Sequence, residues 1–148
     1  MITVDTQTLE DKQAISDLQN YYSFSIDSGE YDNLEDVFVP DVIADYGVAG
    51  FNEGLEQVKS TCRNALDPLT SAQHMNGNNW ADIDGDEAIA GCYFQVHMYL
   101  ESAPGGEHFE MGGRYDDELI RTAGGWRIEK RKITILWSQG NADIRYVR

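Results

Sequence analysis

The chain has 148 residues and three histidines, and His74 is the histidine whose surroundings best suit proton transfer. An imidazole can accept or donate a proton near neutral pH, and a carboxylate that fixes its tautomer makes it a better base. His74 lies at the start of the first long strand-like segment. Because the chain contains 26 Asp and Glu residues, a carboxylate near any histidine is common, and an ordinary turn histidine remains the alternative.

Asp27 is the acid that could partner this histidine, and Tyr22 precedes it by five residues. Asp27 ends a helical pattern directly after Ile26, where the helix dipole disfavours a negative charge. A nearby imidazolium would hold it there, although a solvated aspartate at a helix end is also common. Tyr22 shares a helix face with Ile26 and Leu18, so its hydroxyl could donate into a pocket or could belong to an ordinary core tyrosine.

His97 is a second candidate whose orientation the pattern leaves open. Strand alternation places it with Tyr93 and Tyr99, opposite an apolar set that includes Val96. If the apolar set packs under the helices, His97 faces solvent or a subunit; if the aromatic and polar set lines a cavity, His97 is a second catalytic histidine. His108 follows a Gly-Gly turn and is interpreted as a solvated loop residue.

Helical patterns come first along the chain and strand patterns follow, which predicts an α+β fold. The predicted helices are Asp11–Asp27, Leu34–Phe38, which Pro40 ends, and Leu55–Ala65, and the predicted strands are Val42–Tyr46, Ser71–Asp82, Glu87–Leu100, Glu107–Arg121 and Trp126–Ser138. Turn sequences join the last four strands into an antiparallel meander. Gly91, Gly112 and Gly113 could bend this sheet around a cavity. No linker or repeat divides the chain, so residues 1–148 are predicted to form one domain.

The composition argues against several classes of function. A formal net charge of −15 disfavours nucleic acid and anionic membranes as partners, and the one basic cluster, Arg127–Lys132, is interpreted as the polar face of a strand. Cys62 and Cys92 lack the spacing of a zinc site or a disulfide framework. Phosphate-binding loops and serine-hydrolase elbows are missing, so no cofactor is expected. The first residues do not resemble a signal peptide, which predicts a soluble, cytoplasmic protein.

Two stretches of the chain resemble the SnoaL-like proteins of the NTF2-like superfamily. The first is Ala14–Asp27 with Tyr31–Asp41, and the second is Gly113–Leu119 followed by Gly125–Ile128. The resemblance implies an NTF2-like (cystatin-like) cone, in which three N-terminal helices lie on a curved antiparallel sheet. The fold alone implies little about activity, because it hosts many functions.

The same resemblance assigns roles to individual residues. Asp27 and His74 match the positions at which the bile-acid 7α-dehydratases and the hexachlorocyclohexane dehydrochlorinase pair an aspartate with a histidine, and Tyr22 matches a tyrosine of the bile-acid enzymes. His97 falls where those enzymes have an aspartate and near a second histidine of scytalone dehydratase. Tyr22 replaces the basic helix residue of the dehydrochlorinase, which argues against elimination of halide.

These matches predict a cofactor-independent lyase, of dehydratase type, that acts on a small apolar cyclic or polyketide-like substrate. His74, oriented by Asp27, would remove a proton, Tyr22 would donate to the developing oxyanion, and His97 could protonate the leaving group. Two alternatives stay open: a polyketide cyclase or isomerase with the same dyad, and a non-catalytic module that binds a ligand or a protein.

Substrate contacts and subunit contacts are predicted from aromatic and methionine residues. The predicted substrate-binding residues are Phe24, Met111, Tyr115 and Trp137. The outer face of the sheet would carry Tyr93, Tyr99 and Trp137 as a large apolar patch, which predicts a homodimer or homotrimer.

Overall fold

The computed structural model describes residues 5–146, and its first element is the helix α1, Thr6–Asp27. The Asp5 carboxylate accepts a hydrogen bond from the Thr8 N–H at 2.7 Å and so caps the helix. The helix buries Ile15, Leu18 and Tyr22 on one face, as the spacing predicts. No helix in the described residues is long and apolar enough to span a membrane.

The second predicted helix is not an α-helix. The chain forms a 3-10 helix at Tyr31–Asp36, and the strand β1 has already begun at Phe38. Leu34 is fully buried and the Tyr31 hydroxyl donates to Asp67 at 2.8 Å, so tertiary contacts hold this short turn where local propensity cannot sustain a longer helix. Pro40 therefore does not end a helix. It lies within β1, where the pairing register is irregular and a missing N–H is tolerated.

Six strands form one curved sheet in the order β2-β1-β6-β5-β4-β3. The strands are β1 (Phe38–Asp45), β2 (Phe51–Glu53), β3 (Ser71–Asp84), β4 (Glu87–Tyr99), β5 (His108–Thr122) and β6 (Gly125–Gly140), and the second α-helix, α2 (Leu55–Leu66), lies between β2 and β3. Strands β3 to β6 form the predicted antiparallel meander. The prediction of a wholly antiparallel sheet is wrong, because β1 pairs in parallel with β6. A long crossover joins these two strands, and such a connection permits parallel pairing.

The sheet has an inner face that carries the core and an outer face that is largely exposed. On β4 the apolar set that includes Phe94, Val96 and Met98 points inward and is buried. On the outer face, the indole of Trp137 lies over Gly112 and the indole of Trp80 lies over Gly91, where an added Cβ would meet Nε1 of Trp80 at 2.7 Å. The register of β5 against β6 shifts between Gly112 and Gly113. These glycines thus allow the sheet to bend while the indoles cover them.

Candidate active site

Asp27 and His74 meet where the C-terminal end of α1 crosses the beginning of β3. Oδ1 of Asp27 lies 2.6 Å from Nδ1 of His74, and Oδ2 accepts a hydrogen bond from the His74 main-chain N–H at 2.7 Å. The two side chains are 18% and 7% exposed, respectively. An ionised carboxylate can only accept hydrogen bonds, so Nδ1 carries a proton and Nε2 is left as the acceptor of the neutral imidazole.

Polar contacts along α1 fix the position of this helix over β3. The side-chain amide of Asn76 donates to the main-chain oxygen of Gln19 at 3.1 Å and to the Ser23 hydroxyl at 3.0 Å. The side-chain amide of Asn79 donates to the Gln19 side chain at 2.8 Å. Asn76 is two residues beyond His74 and points to the same face of β3. The same strand that carries the imidazole therefore holds the helix that carries its carboxylate partner.

His74 lines a cavity of about 240 Å³ between the helices and the inner face of the sheet. Much of the wall is apolar, and includes Ile26, Val48, Leu66, Met98, Ile133 and Ile135. The volume lies just below the usual range of small-molecule sites, roughly 300–1,000 Å³. A ligand with one or two rings would therefore fill it. An apolar enclosure with a few polar groups is typical of a binding or catalytic site.

Two tyrosine hydroxyls form the second polar group of the cavity wall. The hydroxyls of Tyr22 and Tyr46 lie 2.8 Å apart, and the Tyr22 hydroxyl is 3.7 Å from Sγ of Cys62. Burial raises the pKa of both tyrosines above the usual value and raises the pKa of the Cys62 thiol to about 11. All three groups therefore stay protonated at neutral pH, and a phenolic proton can be donated to a ligand oxygen in the arrangement in which Tyr22 does not donate to Cys62.

Arg131 lies beneath these tyrosines and is fully buried. Its guanidinium forms two hydrogen bonds to Asp117, at 2.7 and 2.9 Å, and both side chains have no exposed surface. The guanidinium carbon lies 4.1 Å from the ring centre of Tyr115 and 4.5 Å from that of Tyr22. The interpretation of Arg127–Lys132 as a polar strand face is therefore wrong for Arg131. Its alternation with Ile133 and Ile135 was the signal of an inward position.

The structure brings some of the predicted substrate-binding residues to the cavity and keeps others away. Met111 and Tyr115 line it. Phe24 is 77% exposed on the outer side of α1, and Trp137 lies on the outer face of the sheet against Gly112. Neither aromatic side chain lines the cavity, because helix phase turns Phe24 away from the sheet and strand pairing places Trp137 across from Gly112.

The structure also places His97 away from the cavity. Its Nδ1 is 2.7 Å from Oε1 of Glu110 and its Nε2 is 2.7 Å from Nδ1 of His108, all on the outer face. The apolar set of β4 packs under the helices and turns His97 outward, which is the first of the two orientations open from the pattern. His108 is the first residue of β5 and contacts His97, so it is not a loop residue.

Tyr46 and Arg145 are among the cavity residues that the sequence does not reveal. Tyr46 directly follows β1, and the sequence pattern predicts only the end of a strand there; its burial next to Tyr22 depends on how β1 packs. Arg145 lies in the C-terminal 3-10 turn, Ala142–Tyr146, and no local pattern pointed to it. Within residues 5–146, no three His, Cys, Asp or Glu side chains converge as a set that could hold a metal ion.

Residues 7–132 match the SnoaL-like domain family. The uncharacterized protein Rv2910c of Mycobacterium tuberculosis is 32% identical over 127 residues, which cover 83% of this chain and 84% of that protein.

Several solved structures share the fold. The Kfla4162 protein from Kribbella flavida superposes with a TM-score of 0.85 at 22% identity, covering 97% of this chain and 100% of its own. A hexachlorocyclohexane dehydrochlorinase, LinA type 2, superposes with a TM-score of 0.81 at 20% identity, covering 98% of this chain and 98% of its own. A protein assigned as a scytalone dehydratase from Novosphingobium aromaticivorans superposes with a TM-score of 0.80 at 20% identity, covering 88% of this chain and 87% of its own. At these identities the likeness concerns the fold.

Proposed function

This chain belongs to the SnoaL-like domain family, and on that premise we propose that it is a cofactor-independent lyase that removes water from a small, apolar cyclic or polyketide-like substrate. The observation that carries the proposal is the contact of Asp27 with both the ring and the main chain of His74, at the wall of a mostly apolar cavity. A histidine whose Nδ1 faces a carboxylate, at the wall of a mostly apolar, ring-sized space, is arranged to act as a general base.

In the proposed reaction, Nε2 of His74 removes a proton from a carbon next to a carbonyl group. The electron pair of the broken C–H bond moves onto the carbonyl oxygen, and a phenolic hydroxyl of the Tyr22–Tyr46 pair donates a hydrogen bond to the oxyanion that forms. Collapse of the enolate expels the hydroxyl group on the neighbouring carbon. The imidazolium of His74 returns its proton to this group, which leaves as water.

This sequence of steps gives no role to His97, which lies on the other face of the sheet. His74 serves as base and then as acid, while Asp27 stabilises the imidazolium between the two steps. Met111 and Tyr115 are proposed to contact the substrate ring, because both line the cavity. Two of the fold relatives are named for elimination reactions, a dehydratase and a dehydrochlorinase, which supports this class of chemistry.

The test is a screen of cyclic hydroxyketones in which the product is identified by mass. We expect loss of one water molecule. His74→Ala should lower the rate by about 10²-fold or more, since a general base contributes typically 10²- to 10⁴-fold. The matched control is His97→Ala, a histidine on the outer face, which should leave the rate unchanged. An active His74→Ala protein with an intact fold would rule out the dyad mechanism.

A cyclase or isomerase is the second candidate, because a base opposite a phenolic donor suits enolate formation whether or not a group then leaves. The mass of the product separates the two candidates: an unchanged mass marks isomerisation or cyclisation. If no substrate turns over and the chain instead retains a ligand unchanged, the non-catalytic binding module is the correct description.

We also propose that the chain forms a homodimer or homotrimer through the outer face of the sheet. Trp80, Ile89, Tyr93 and Trp137 each remain 41–50% exposed there. Large apolar side chains that stay exposed on one face of a sheet commonly mark a contact surface. Sedimentation equilibrium tests this, and Tyr93→Lys should shift the population toward monomer. A wild-type protein that sediments only as a monomer at high concentration would refute the proposal.

A further inference from the structure

His97 and His108 form a pair of imidazoles on the outer face of the sheet, on the side opposite the cavity. Nε2 of His97 lies 2.7 Å from Nδ1 of His108, and the two ring centres are 4.9 Å apart. His97 lies on β4, and His108 opens β5 as the cross-strand partner of Tyr99. The two histidines are therefore diagonal neighbours on adjacent strands, and the pairing of β4 with β5 keeps their rings close together.

A carboxylate fixes the tautomer of His97. Oε1 of Glu110 lies 2.7 Å from Nδ1 of His97, and an ionised carboxylate can only accept hydrogen bonds, so Nδ1 carries the proton. Glu110 is held in turn by Gln139 of β6, whose side-chain amide donates to Oε2 at 2.7 Å. The lone pair of His97 is therefore on Nε2, the nitrogen that faces His108. His108 can direct a lone pair from Nδ1 to the same place when its own proton is on Nε2.

The distance between the two facing nitrogens is close to the distance that a shared metal ion requires. Zn²⁺ binds imidazole nitrogens at about 2.0–2.1 Å with tetrahedral angles, which places two such nitrogens roughly 3.3 Å apart. The rings would have to separate by only about 0.6 Å from the 2.7 Å contact. The side chain of His97 is 41% exposed, so water can reach a metal ion there and supply the other ligands. The pair thus resembles two ligands of an open metal site.

Glu110 is placed as a supporting residue and not as a third ligand. It contacts the nitrogen of His97 that faces away from His108, which is why these three side chains do not converge on one point. A histidine that binds a metal almost always donates its other ring N–H to a carboxylate, a carbonyl or water, which orients the ring. The contact of Glu110 with His97 has this form.

We propose that His97 and His108 bind a divalent transition-metal ion such as Zn²⁺, Ni²⁺ or Cu²⁺, and that Glu110 orients His97 for this role. Imidazole nitrogens suit these ions, whereas Mg²⁺ and Ca²⁺ prefer oxygen ligands. The formal net charge of −15 favours a cation at the surface of the chain. The site has no part in the proposed turnover, because His74 lines the cavity on the other face of the sheet.

Calorimetric titration of the metal-free chain with Zn²⁺ tests the proposal, with Mg²⁺ as the oxygen-preferring control. The wild type should bind Zn²⁺ saturably and should not bind Mg²⁺. His97→Ala and His108→Ala should each weaken Zn²⁺ binding by about 100-fold, since loss of a ligand costs at least as much as loss of its supporting residue. His74→Ala removes the third histidine of the chain and is the matched control, which should bind Zn²⁺ as the wild type does.

A second pair of variants tests the role of Glu110. Glu110→Gln should weaken Zn²⁺ binding by about 10-fold, because the amide is uncharged and a weaker acceptor for the His97 ring. Glu107→Gln removes the same charge from a nearby carboxylate that contacts Tyr99 and neither histidine, and should change the affinity by less than about twofold. Equal losses in the two variants would contradict an orienting role for Glu110.

Nitrogen-15 spectra identify the atoms that bind the metal. Added Zn²⁺ should shift Nε2 of His97 and Nδ1 of His108 and leave both ring nitrogens of His74 unchanged. Three results would overturn the proposal: no saturable Zn²⁺ binding by the wild type, full binding by folded His97→Ala or His108→Ala, or an equal loss of binding in folded His74→Ala.

Discussion

Two aspartates on α1, sixteen residues apart, both attach the helix to the sheet, but they do so with different partners. Asp11 accepts two hydrogen bonds from the Arg121 guanidinium, at 2.7 and 2.8 Å, and one from the Trp126 indole at 3.1 Å. Asp27 accepts from the main-chain N–H and the ring of His74. One end of the helix is thus tied to a permanent cation and the other end to a group that can gain and lose a proton.

The difference separates a carboxylate with a structural role from one that is proposed to take part in catalysis. Arg121 holds the pKa of Asp11 well below its usual range, so that this carboxylate remains ionised and its network does not change near neutral pH. Asp11 does not line the cavity, whereas the imidazole that Asp27 orients does. A buried carboxylate therefore marks a candidate catalytic site only when its partner can titrate and has access to a ligand.

The largest effect is expected from Asp27→Asn. We expect turnover of the substrate found by the mass screen to fall by about 10²-fold or more, because the amide cannot stabilise an imidazolium as a carboxylate does. The thermal midpoint should change by only about 1–3 °C, since the amide can retain one of the two hydrogen bonds. A variant with unimpaired turnover would show that Asp27 is as structural as Asp11.

An NMR readout makes this first prediction independent of any substrate. In the wild type, nitrogen-15 spectra should show His74 protonated at Nδ1, because the Asp27 carboxylate is its neighbour. In Asp27→Asn this preference should weaken. Asp11→Asn is the control and should leave the His74 tautomer unchanged. A His74 ring protonated mainly at Nε2 in the wild type would contradict the proposed role of Nε2 as base.

The next largest effect is expected from Asp11→Asn, and it should appear in stability rather than in turnover. The thermal midpoint should fall by about 5–10 °C, because the amide NH2 that replaces Oδ2 cannot accept the second hydrogen bond from Arg121, and the negative charge that faces the guanidinium is lost. Turnover at 20 °C should stay within about threefold of the wild type, because the Asp27–His74 pair at the far end of the helix is unchanged. Calorimetry and a rate assay on the same sample decide whether Asp11 has a structural or a catalytic role.

A smaller effect is expected from pH on the difference in thermal midpoint between the wild type and Asp11→Asn. The pKa of Asp11 is lower in the folded chain than in the unfolded chain, so its contribution is fully present above the unfolded value of about 4 and is lost as pH falls below it. The difference in thermal midpoint between wild type and Asp11→Asn should therefore be constant from pH 6 to about pH 5 and should shrink by about pH 3. A constant difference down to pH 3 would mean that Asp11 is not stabilised as an anion.

The smallest effect is expected from Gln7→Ala. Gln7 donates to Asp11 at 3.1 Å from the first turn of the helix, and Arg121 and Trp126 still satisfy the carboxylate without it. The thermal midpoint should fall by about 1–2 °C. A loss as large as that of Asp11→Asn would show that Gln7, and not Arg121, organises this end of the helix.

Local patterns were sufficient for much of this architecture. The buried stripe of α1 follows from spacings of three and four, and the turn sequences of the meander determine its antiparallel pairing. Residue type and position mark Asp27, His74 and Tyr22 as candidates, and the resemblance to SnoaL-like proteins assigns them catalytic roles. Spacing alone favours an ordinary helix-end aspartate, turn histidine and core tyrosine.

What the sequence by itself determined is therefore the order of the elements, their periodicity and the residues worth testing. Only the tertiary structure decided that His97 faces outward, that Arg131 lies under the tyrosines, and that Tyr46 and Arg145 reach the cavity. The physical reason is that strand alternation defines two faces without saying which one is buried. That choice, like the parallel pairing of β1 with β6, depends on contacts between segments far apart in the chain.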